Sequence, residues 1–325
     1  MTPCPFELAG ADGKRIRGDR ANGAGRQVLF ITGFLSKRWG NKSKALSQWC
    51  AEQGWGFCCY DVRGFGDSEG KFTDYTLSDW IADARSVMAM LTNASNFTHP
   101  PPPSSHPPTP SVPSQAPVPR DAVFPDLTHP TPASSHPPAP SLRLQASCPE
   151  DAPLPDLTRP APARQDALFP PLTIVGNSLG GWIAWLIAQE REQVERLILV
   201  APAFNMMGVR AKTISSERRH DWHRAGWMPW DDDPLHRDWP LSWKWVEESE
   251  AYWASSFDRM RPVRTSILHG SGDSVIAPDG SREFAQRLRR QNPSYPVELD
   301  LVAGDHRLSR PEHMACLQKL LLEPV

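Results

Sequence analysis

A proline-rich tandem repeat interrupts this sequence and limits where a folded domain can lie. Of the 35 prolines in the 325 residues, 23 fall between Pro100 and Pro171. The 30 residues at 98–127 (THPPPPSSHPPTPSVPSQAPVPRDAVFPDL) are followed by a second, similar unit at 128–157 and by a shortened third copy. Proline fixes φ and removes a backbone donor, and the units have neither helical nor strand periodicity. We therefore predict a disordered, partly polyproline-II insertion at 93–171, outside the fold.

The residues on either side of the insertion have a different pattern. Short apolar segments alternate with amphipathic ones, which predicts an α/β fold with a mostly parallel sheet and helices on both faces. Roughly 250 residues remain there, a usual size for one such domain. We predict a single domain from 1–92 and 172–325, and Ser78 as the cap of a helix at 77–91. The predicted strands lie within 27–34, 56–68, 172–176, 194–203, 265–273 and 297–302, and the other predicted helices within 42–55, 181–191, 282–291 and 311–323.

The most specific motif is Gly176-Asn177-Ser178-Leu179-Gly180, which closes a predicted strand and opens a predicted helix. A GxSxG motif in this context is typical of the nucleophile elbow, a tight turn that exposes a serine hydroxyl at the edge of a sheet. Residues two positions from the serine must be small there, and both are glycine. The alternative is an ordinary glycine-rich strand-to-helix turn.

A serine hydroxyl needs a base to become a nucleophile, and we predict that His306 is that base. His306 follows a strand and a loop glycine, just before the final helix. We expect His269, at the end of a strand, to have a structural role, and His313 to be a packing or surface residue. The remaining histidines lie in the repeats or in a polar, Trp-rich stretch: His99, His106, His129, His136, His220, His223 and His236.

The acid that orients the base is predicted to be Asp273, at the end of the preceding strand, which gives the order Ser, Asp, His. Asp273 could instead be a turn-forming residue. Asp61 and Asp305 are the other candidates for this acid. Asp61 precedes the serine in the chain, which does not give that order, and we expect Asp305 to fix its own loop. Two backbone N–H groups should receive an oxyanion, those of Leu179 and of Phe34.

Residues 204–260 are too many for a simple connection, and we predict that they form a lid. Seven of the 13 tryptophans lie in this stretch, either as an apolar roof for an acyl chain or as packing against the body of the domain. No metal site is predicted, because the spacing of the nearby acidic and histidine side chains matches no zinc pattern. These side chains are His220, His223, Asp231, Asp232, Asp233 and His236.

Composition excludes several other classes of protein. The formal charge of −2 argues against a surface for nucleic acid or an anionic membrane, and no apolar run is long enough for a membrane span. Six cysteines without a CxxC motif favour a reducing compartment. Because residues 1–10 have no signal-peptide or transit pattern, we expect a cytoplasmic location.

The chain resembles the serine α/β-hydrolases. More narrowly, it resembles the family that contains mitochondrial palmitoyl-protein thioesterase, also described as an acyl-glucuronide esterase. The resemblance lies in GFCCYDVRGFGDSEG, TLSDWIADARSVMAML, IVGNSLGGWIAWLIA, ILHGSGDSVIAP and GDHRLSRPEH. It implies the α/β-hydrolase fold and the same triad, Ser178, Asp273 and His306.

Three features depart from the family. Thr32-Gly33 replaces the His-Gly that usually leads the oxyanion loop, the proline-rich insertion is foreign to the family, and no mitochondrial presequence is recognisable. A mitochondrial location therefore follows from the family analogy only.

The leading hypothesis is a serine hydrolase that cleaves acyl esters or thioesters of a small molecule or an acylated protein, without a cofactor. A carbon–carbon bond hydrolase of the same fold is an alternative. A second alternative is an interaction protein, because PxxP spacing within 100–110 could bind an SH3- or WW-type partner.

Overall fold

The structure is a computed structural model that describes residues 2–92, 170–230, 239–258 and 260–324. The predicted proline-rich insertion lies outside these ranges, apart from Pro170 and Pro171. Within the predicted lid, residues 231–238 also lie outside them.

The main sheet of the described residues is mostly parallel, as predicted. The chain order of its strands is β1 (Cys4–Ala9), β2 (Arg15–Ala21), β3 (Gln27–Ile31), β4 (Gly56–Asp61), β5 (Leu172–Asn177), β6 (Val194–Val200), β9 (Arg264–Gly270) and β10 (Val297–Val302). Across the sheet the order is β1-β2-β4-β3-β5-β6-β9-β10. Only β2 pairs antiparallel with its neighbours, β1 and β4; the remaining adjacent pairs are parallel.

Helices cover both faces of the sheet, because neighbouring strand residues point to opposite sides. In β3, Leu29 and Ile31 pack into one apolar cluster, and Val28 and Phe30 pack into another. The first cluster contains residues of α2 (Leu77–Leu91), α3 (Leu179–Ala188) and α7 (Asp279–Gln291), and the second contains residues of α1 (Asn41–Glu52) and α8 (Pro311–Leu322).

The predicted cap at Ser78 is wrong. α2 begins at Leu77, and Thr76 is its N-cap. The carboxylate of Asp79, three residues after the cap, accepts a 2.8 Å hydrogen bond from the Thr76 N–H, so the two residues form a capping box. The N–H of Ser78 instead donates to the carboxylate of Glu248 at 2.9 Å.

The described residues between β6 and β9 form three helices and a short hairpin. These elements are α4 (Met206–Thr213), α5 (Ser216–Ala225), β7 (Trp227–Pro229), β8 (Pro240–Ser242) and α6 (Trp243–Ser255). α4 packs against α6, and α6 also contacts α2 of the main domain. Among the helices in the described ranges, none is long and apolar enough to cross a membrane.

Candidate active site

The turn between β5 and α3 holds Ser178 in an unusual backbone conformation. Ser178 has φ 54° and ψ −122°, a backbone conformation that residues other than glycine seldom adopt. The turn is possible because its neighbours have no β-carbon. A β-carbon added to Gly176 would lie 2.4 Å from the Gly180 carbonyl oxygen, and a β-carbon added to Gly180 would lie 2.2 Å from the Thr32 carbonyl oxygen. Strain of this kind is concentrated at functional sites in proteins.

Three loops at the carboxyl ends of the strands bring the predicted residues together. The Oγ of Ser178 lies 3.1 Å from the Nε2 of His306, which comes from the loop after β10. The Nδ1 of His306 lies 2.7 Å from the Oδ2 of Asp273, in the loop after β9. The Asp273 side chain is fully buried, and 19% of the His306 side chain is exposed. This geometry has the separations that a serine, a base and an orienting acid require.

Every hydrogen bond at the Asp273 carboxylate favours its ionised form. Oδ1 accepts from the backbone N–H groups of Val275 at 2.9 Å and Ile276 at 2.8 Å, while Oδ2 contacts His306 and His269. Burial alone would raise the pKa of Asp273. The hydrogen bonds from His269, His306 and Ile276 outweigh burial and hold that pKa well below its ordinary range.

His269 has the structural position that its sequence context predicts, but it also contacts the candidate acid. Its ring is completely buried. Nε2 lies 3.1 Å from the Oδ2 of Asp273, and Nδ1 lies 2.7 Å from the Oγ of Ser281 in α7. This contact was not predicted. The i,i+4 spacing of His269 and Asp273 across the end of β9 is the sequence feature that could have indicated it.

The loop that carries His306 is fixed from several sides. As predicted, Asp305 organises its own loop, since its Oδ1 accepts from the N–H groups of Arg307 at 3.1 Å and Leu308 at 3.2 Å. The ammonium of Lys42, at the start of α1, donates to the Arg307 carbonyl. Burial lowers the pKa of Lys42 to about 8. The buried ring of His313 lies 2.7 Å from the Ala303 carbonyl oxygen.

Asp61, another carboxylate considered as the acid, forms its hydrogen bonds away from His306. Its oxygens accept from the backbone N–H and the guanidinium of Arg38, and from the N–H of Asp67 at 3.1 Å. Arg38 also pairs with Asp19 at 2.6 Å. Asp61 therefore has a structural role in the loops that follow β3 and β4.

The two residues predicted to supply oxyanion donors line the same cleft. Phe34 and Leu179 both line it, and Gly33 packs so closely that its β-carbon would lie 3.0 Å from the Cβ of Ser178. Thr32, which replaces the family's histidine, also lines the cleft. The loop between β3 and α1 thus runs directly beside the turn at Ser178.

Aromatic rings line this cleft. The ring of Phe34 lies 5.6 Å from Phe72, 5.8 Å from Trp80 and 5.4 Å from Trp245, measured between ring centroids. The two indoles are held by buried hydrogen bonds. Trp80 donates to the Arg63 carbonyl at 3.1 Å, and Trp245 donates to the Tyr75 carbonyl at 2.9 Å.

A second, small lobe extends from the same rings toward α4 and α6, where Met206, Met207 and Ser249 line it. The tryptophans of 204–260 left an apolar roof and packing against the body as two alternatives. Trp80 lies outside the predicted lid and could not be selected from the sequence, because the pairing of α2 with α6 is a tertiary contact.

The acidic and histidine cluster considered as a metal site is only partly described. Asp231, Asp232, Asp233 and His236 lie outside the described residues, whereas His220 and His223 lie on α5. Among the described residues, no group of three or more His, Cys, Asp or Glu side chains is placed to hold a metal ion.

Comparison with known proteins agrees with the fold and with the predicted resemblance. Mouse mitochondrial palmitoyl-protein thioesterase ABHD10 is 30% identical over 82 residues, which are 25% of this chain and 26% of that protein. The matched stretch thus spans about a quarter of the length of the curated relative. No family model matches the chain.

Solved structures match over nearly the whole chain. The α/β-hydrolase domain-containing protein 10 from mouse has a TM-score of 0.66 at 19% identity and covers 98% of this chain and 96% of its own. Est1E from Butyrivibrio proteoclasticus, in a structure with ferulic acid bound, has a TM-score of 0.59 at 16% identity and covers 97% and 95%. The chain has the α/β-hydrolase fold, and the predicted resemblance to the palmitoyl-protein thioesterase is confirmed.

Proposed function

We propose that this α/β-hydrolase cleaves acyl esters or thioesters through a covalent acyl-enzyme formed on Ser178. The observation that supports this proposal most strongly is the continuous hydrogen-bonded series from Ser178 Oγ through His306 to Asp273, with separations of 3.1 and 2.7 Å. The hydrolase relatives give independent support for the class of reaction.

In the first half of the reaction, Ser178 attacks the carbonyl carbon of the substrate as its proton passes to the Nε2 of His306. Asp273 remains ionised, because its hydrogen bonds lower its pKa, and its charge stabilises the imidazolium that forms. The tetrahedral intermediate then collapses. The bond to the leaving group breaks, and the leaving alcohol or thiol takes the proton from Nε2.

The oxyanion of this intermediate needs donors that are already in place. The N–H of Leu179 lies at the N-terminus of α3, where the helix dipole favours negative charge. The N–H of Phe34 follows Gly33, whose contact with Ser178 brings that loop to the reacting atoms. We assign these two groups as the oxyanion hole.

In the second half, water attacks the acyl carbonyl and gives its proton to His306. The Ser178–acyl bond breaks, Ser178 recovers its proton, and a carboxylic acid is released. Each proton transfer uses a group of the chain itself, so the proposed reaction needs no cofactor.

The cleft favours an apolar acyl group. Its lining includes Phe34, Phe72, Trp80, Leu179 and Ile183. Gly33 and Leu179 adjoin Ser178 and also line the cleft, so an acyl chain that entered it would have its carbonyl near Ser178. The leaving group, which is either a small molecule or an acylated protein, would lie on the exposed side of His306. Palmitoyl-protein thioesterase activity is one specific form of this proposal.

Hydrolysis of graded p-nitrophenyl esters and matched acyl thioesters tests the proposal. We expect the purified protein to cleave one or both series, and Ser178→Ala to lose at least about 10⁴-fold in kcat. Ser294→Ala, at an exposed position in the loop after α7, is the matched control and should keep full activity. Equal activity in Ser178→Ala and the wild type would refute the assignment of the nucleophile.

The location and the macromolecular partner remain predictions from the sequence. The SH3- or WW-type partner rests on the proline-rich segment, which lies outside the described residues. Deleting residues 98–157 tests the prediction of this partner. If hydrolysis is unchanged while capture of such a module is lost, the segment has a docking role.

A further inference from the structure

Two histidine rings share one oxygen of the candidate acid. His306 approaches the Oδ2 of Asp273 at 2.7 Å from the exposed side, and His269 approaches the same atom at 3.1 Å from the interior. His269 has no exposed surface, whereas the His306 side chain is partly exposed. The proposed reaction transfers protons only through His306, so it assigns no role to the buried ring of His269.

The partners of His269 determine which ring atom donates. Its Nε2 lies 3.1 Å from both the Asp273 carboxylate and the Ile276 carbonyl, and both of these groups only accept hydrogen bonds. Nε2 therefore carries a proton in either charge state of the ring. On the other side, the hydroxyl of Ser281, which is also completely buried, partners Nδ1 at 2.7 Å. These contacts fix the orientation of the ring.

We propose that His269 is a positioning residue for the acid of the triad: its Nε2–H and the N–H groups of Val275 and Ile276 hold the Asp273 carboxylate toward His306. The proposal rests on the serine-hydrolase function argued above. It concerns a residue that touches neither the substrate nor Ser178 and that acts through Asp273.

The shared oxygen gives this role a consequence that packing alone would not have. A hydrogen bond from His269 disperses part of the negative charge on Oδ2, which weakens the attraction of that oxygen for a protonated His306. Without the bond, the imidazole at 306 would keep its proton to higher pH. Since His306 must be unprotonated to act as a base, the acid limb of the kcat/KM profile would move to higher pH.

The other groups that face His306 stay the same when position 269 is changed. They are Asp305 and Arg307 on its own loop, Lys42 of α1 through the Arg307 carbonyl, and the Ser178 hydroxyl. A displaced acid limb in a variant at position 269 can therefore be assigned to the Asp273 contact.

The experiment compares His269→Phe, His269→Asn and His269→Gln with the wild type in pH profiles of kcat and KM. Phenylalanine keeps a ring but has no donor, and the short asparagine amide does not extend to the position of Nε2. The glutamine amide nitrogen can occupy that position and donate. Near-UV circular dichroism and thermal unfolding establish that each variant is folded.

We expect His269→Phe and His269→Asn to lose about 10- to 100-fold in kcat with KM nearly unchanged, and their acid limb to move up by about half a pH unit or more. His269→Gln should restore the wild-type acid limb and most of kcat. If only one of the two variants without the donor folds, its comparison with His269→Gln is sufficient.

Two results would overturn the inference. The first is a folded His269→Phe or His269→Asn variant with the wild-type kcat and pH profile. The second is a glutamine variant that behaves like the phenylalanine variant, since the ring and not its N–H would then be what matters. A wild-type protein that hydrolyses no ester or thioester would instead refute the proposed function, which separates the two failures.

Discussion

Gly180 lies directly against the backbone of Thr32, so closely that a β-carbon at position 180 would be 2.2 Å from the Thr32 carbonyl oxygen. The contact joins the first turn of α3 to the loop after β3. Ser178 lies on one side of the contact and Gly33 on the other. The turn at Ser178 and the loop proposed to supply an oxyanion donor are therefore held together by a contact that only glycine permits.

The substitution Gly180→Ala tests this contact. The added methyl group meets the Ile31 and Thr32 carbonyl oxygens, which are main-chain atoms of β3 and the loop that follows it. We expect the free energy of unfolding in urea to fall by about 3 kcal/mol or more. Gly280→Ala is the control, because nothing lies within 4 Å of its added methyl group and Gly280 is in the first turn of α7. It should be neutral or stabilising by up to about 1 kcal/mol. Equal stability of the two variants would contradict the close contact.

Trp245 is expected to limit the size of the acyl group. It lines the lobe of the cleft toward α6, and its indole nitrogen donates to the Tyr75 carbonyl. In Trp245→Phe, the smaller ring leaves space, so kcat/KM for long acyl chains should rise relative to acetate esters by at least about tenfold. A panel of ester chain lengths measures the ratio.

Trp185→Phe is the matched control for this change. Trp185 is also buried, but it packs against Phe284 at 4.9 Å and lines neither lobe. It should keep the wild-type preference for chain length. An unaltered preference in Trp245→Phe would show that the acyl group lies elsewhere.

The free energy of unfolding should depend on pH through Asp273. The folded-state pKa of this carboxyl is lowered, so it lies below the unfolded-state value of about 3.9. Ionised Asp273 therefore stabilises the folded state above about pH 4, and this contribution disappears as the pH falls through the folded-state pKa. Urea unfolding between pH 5 and pH 3 should show a steeper loss for the wild type than for Asp273→Asn. Ser178→Ala, which keeps the hydrogen bonds to Asp273, should follow the wild type.

The described cysteines should differ strongly in reactivity. Cys50, Cys58 and Cys59 are buried, and burial raises the pKa of Cys50 to about 12 and raises the pKa values of Cys58 and Cys59 further. Cys4 is exposed. Iodoacetamide at pH 8 should therefore modify Cys4 in the native protein and the three buried thiols only after denaturation. Peptide mapping by mass spectrometry measures each site, and native modification of Cys58 at the rate of Cys4 would contradict this packing.

The sequence was most informative where local geometry restricts the choice of residue. The turn at Ser178 needs glycine at 176 and 180, and a base and an acid that reach it must follow strands ending at the same edge, so the sequence alone selects Ser178, Asp273 and His306. The structure brings the three side chains within hydrogen-bonding distance, and their catalytic roles stay a proposal. The strand at 297–302 was predicted with the bounds that the structure gives. These features depend on short-range constraints that are visible in one segment at a time.

The β1–β2 hairpin was not predicted, for a physical reason. β2 reads RIRGDRA, and its buried positions include glycine and alanine beside a single isoleucine, so its apolar alternation is weak. Cross-strand ion pairs support the hairpin instead, such as Arg17 with Glu7 at 2.8 Å. The contacts of His269 with Asp273 and of Trp80 with Trp245 were also missed, because they depend on how distant segments pack.

The most direct test of the proposed mechanism is intact-mass analysis after treatment with a fluorophosphonate probe, followed by mapping of the modified peptide. We predict a single adduct on Ser178 in the wild type, with no labelling of Ser178→Ala and strongly slowed labelling of His306→Ala. An unmodified wild-type protein, or an adduct that persists in Ser178→Ala, would contradict the acyl-enzyme mechanism.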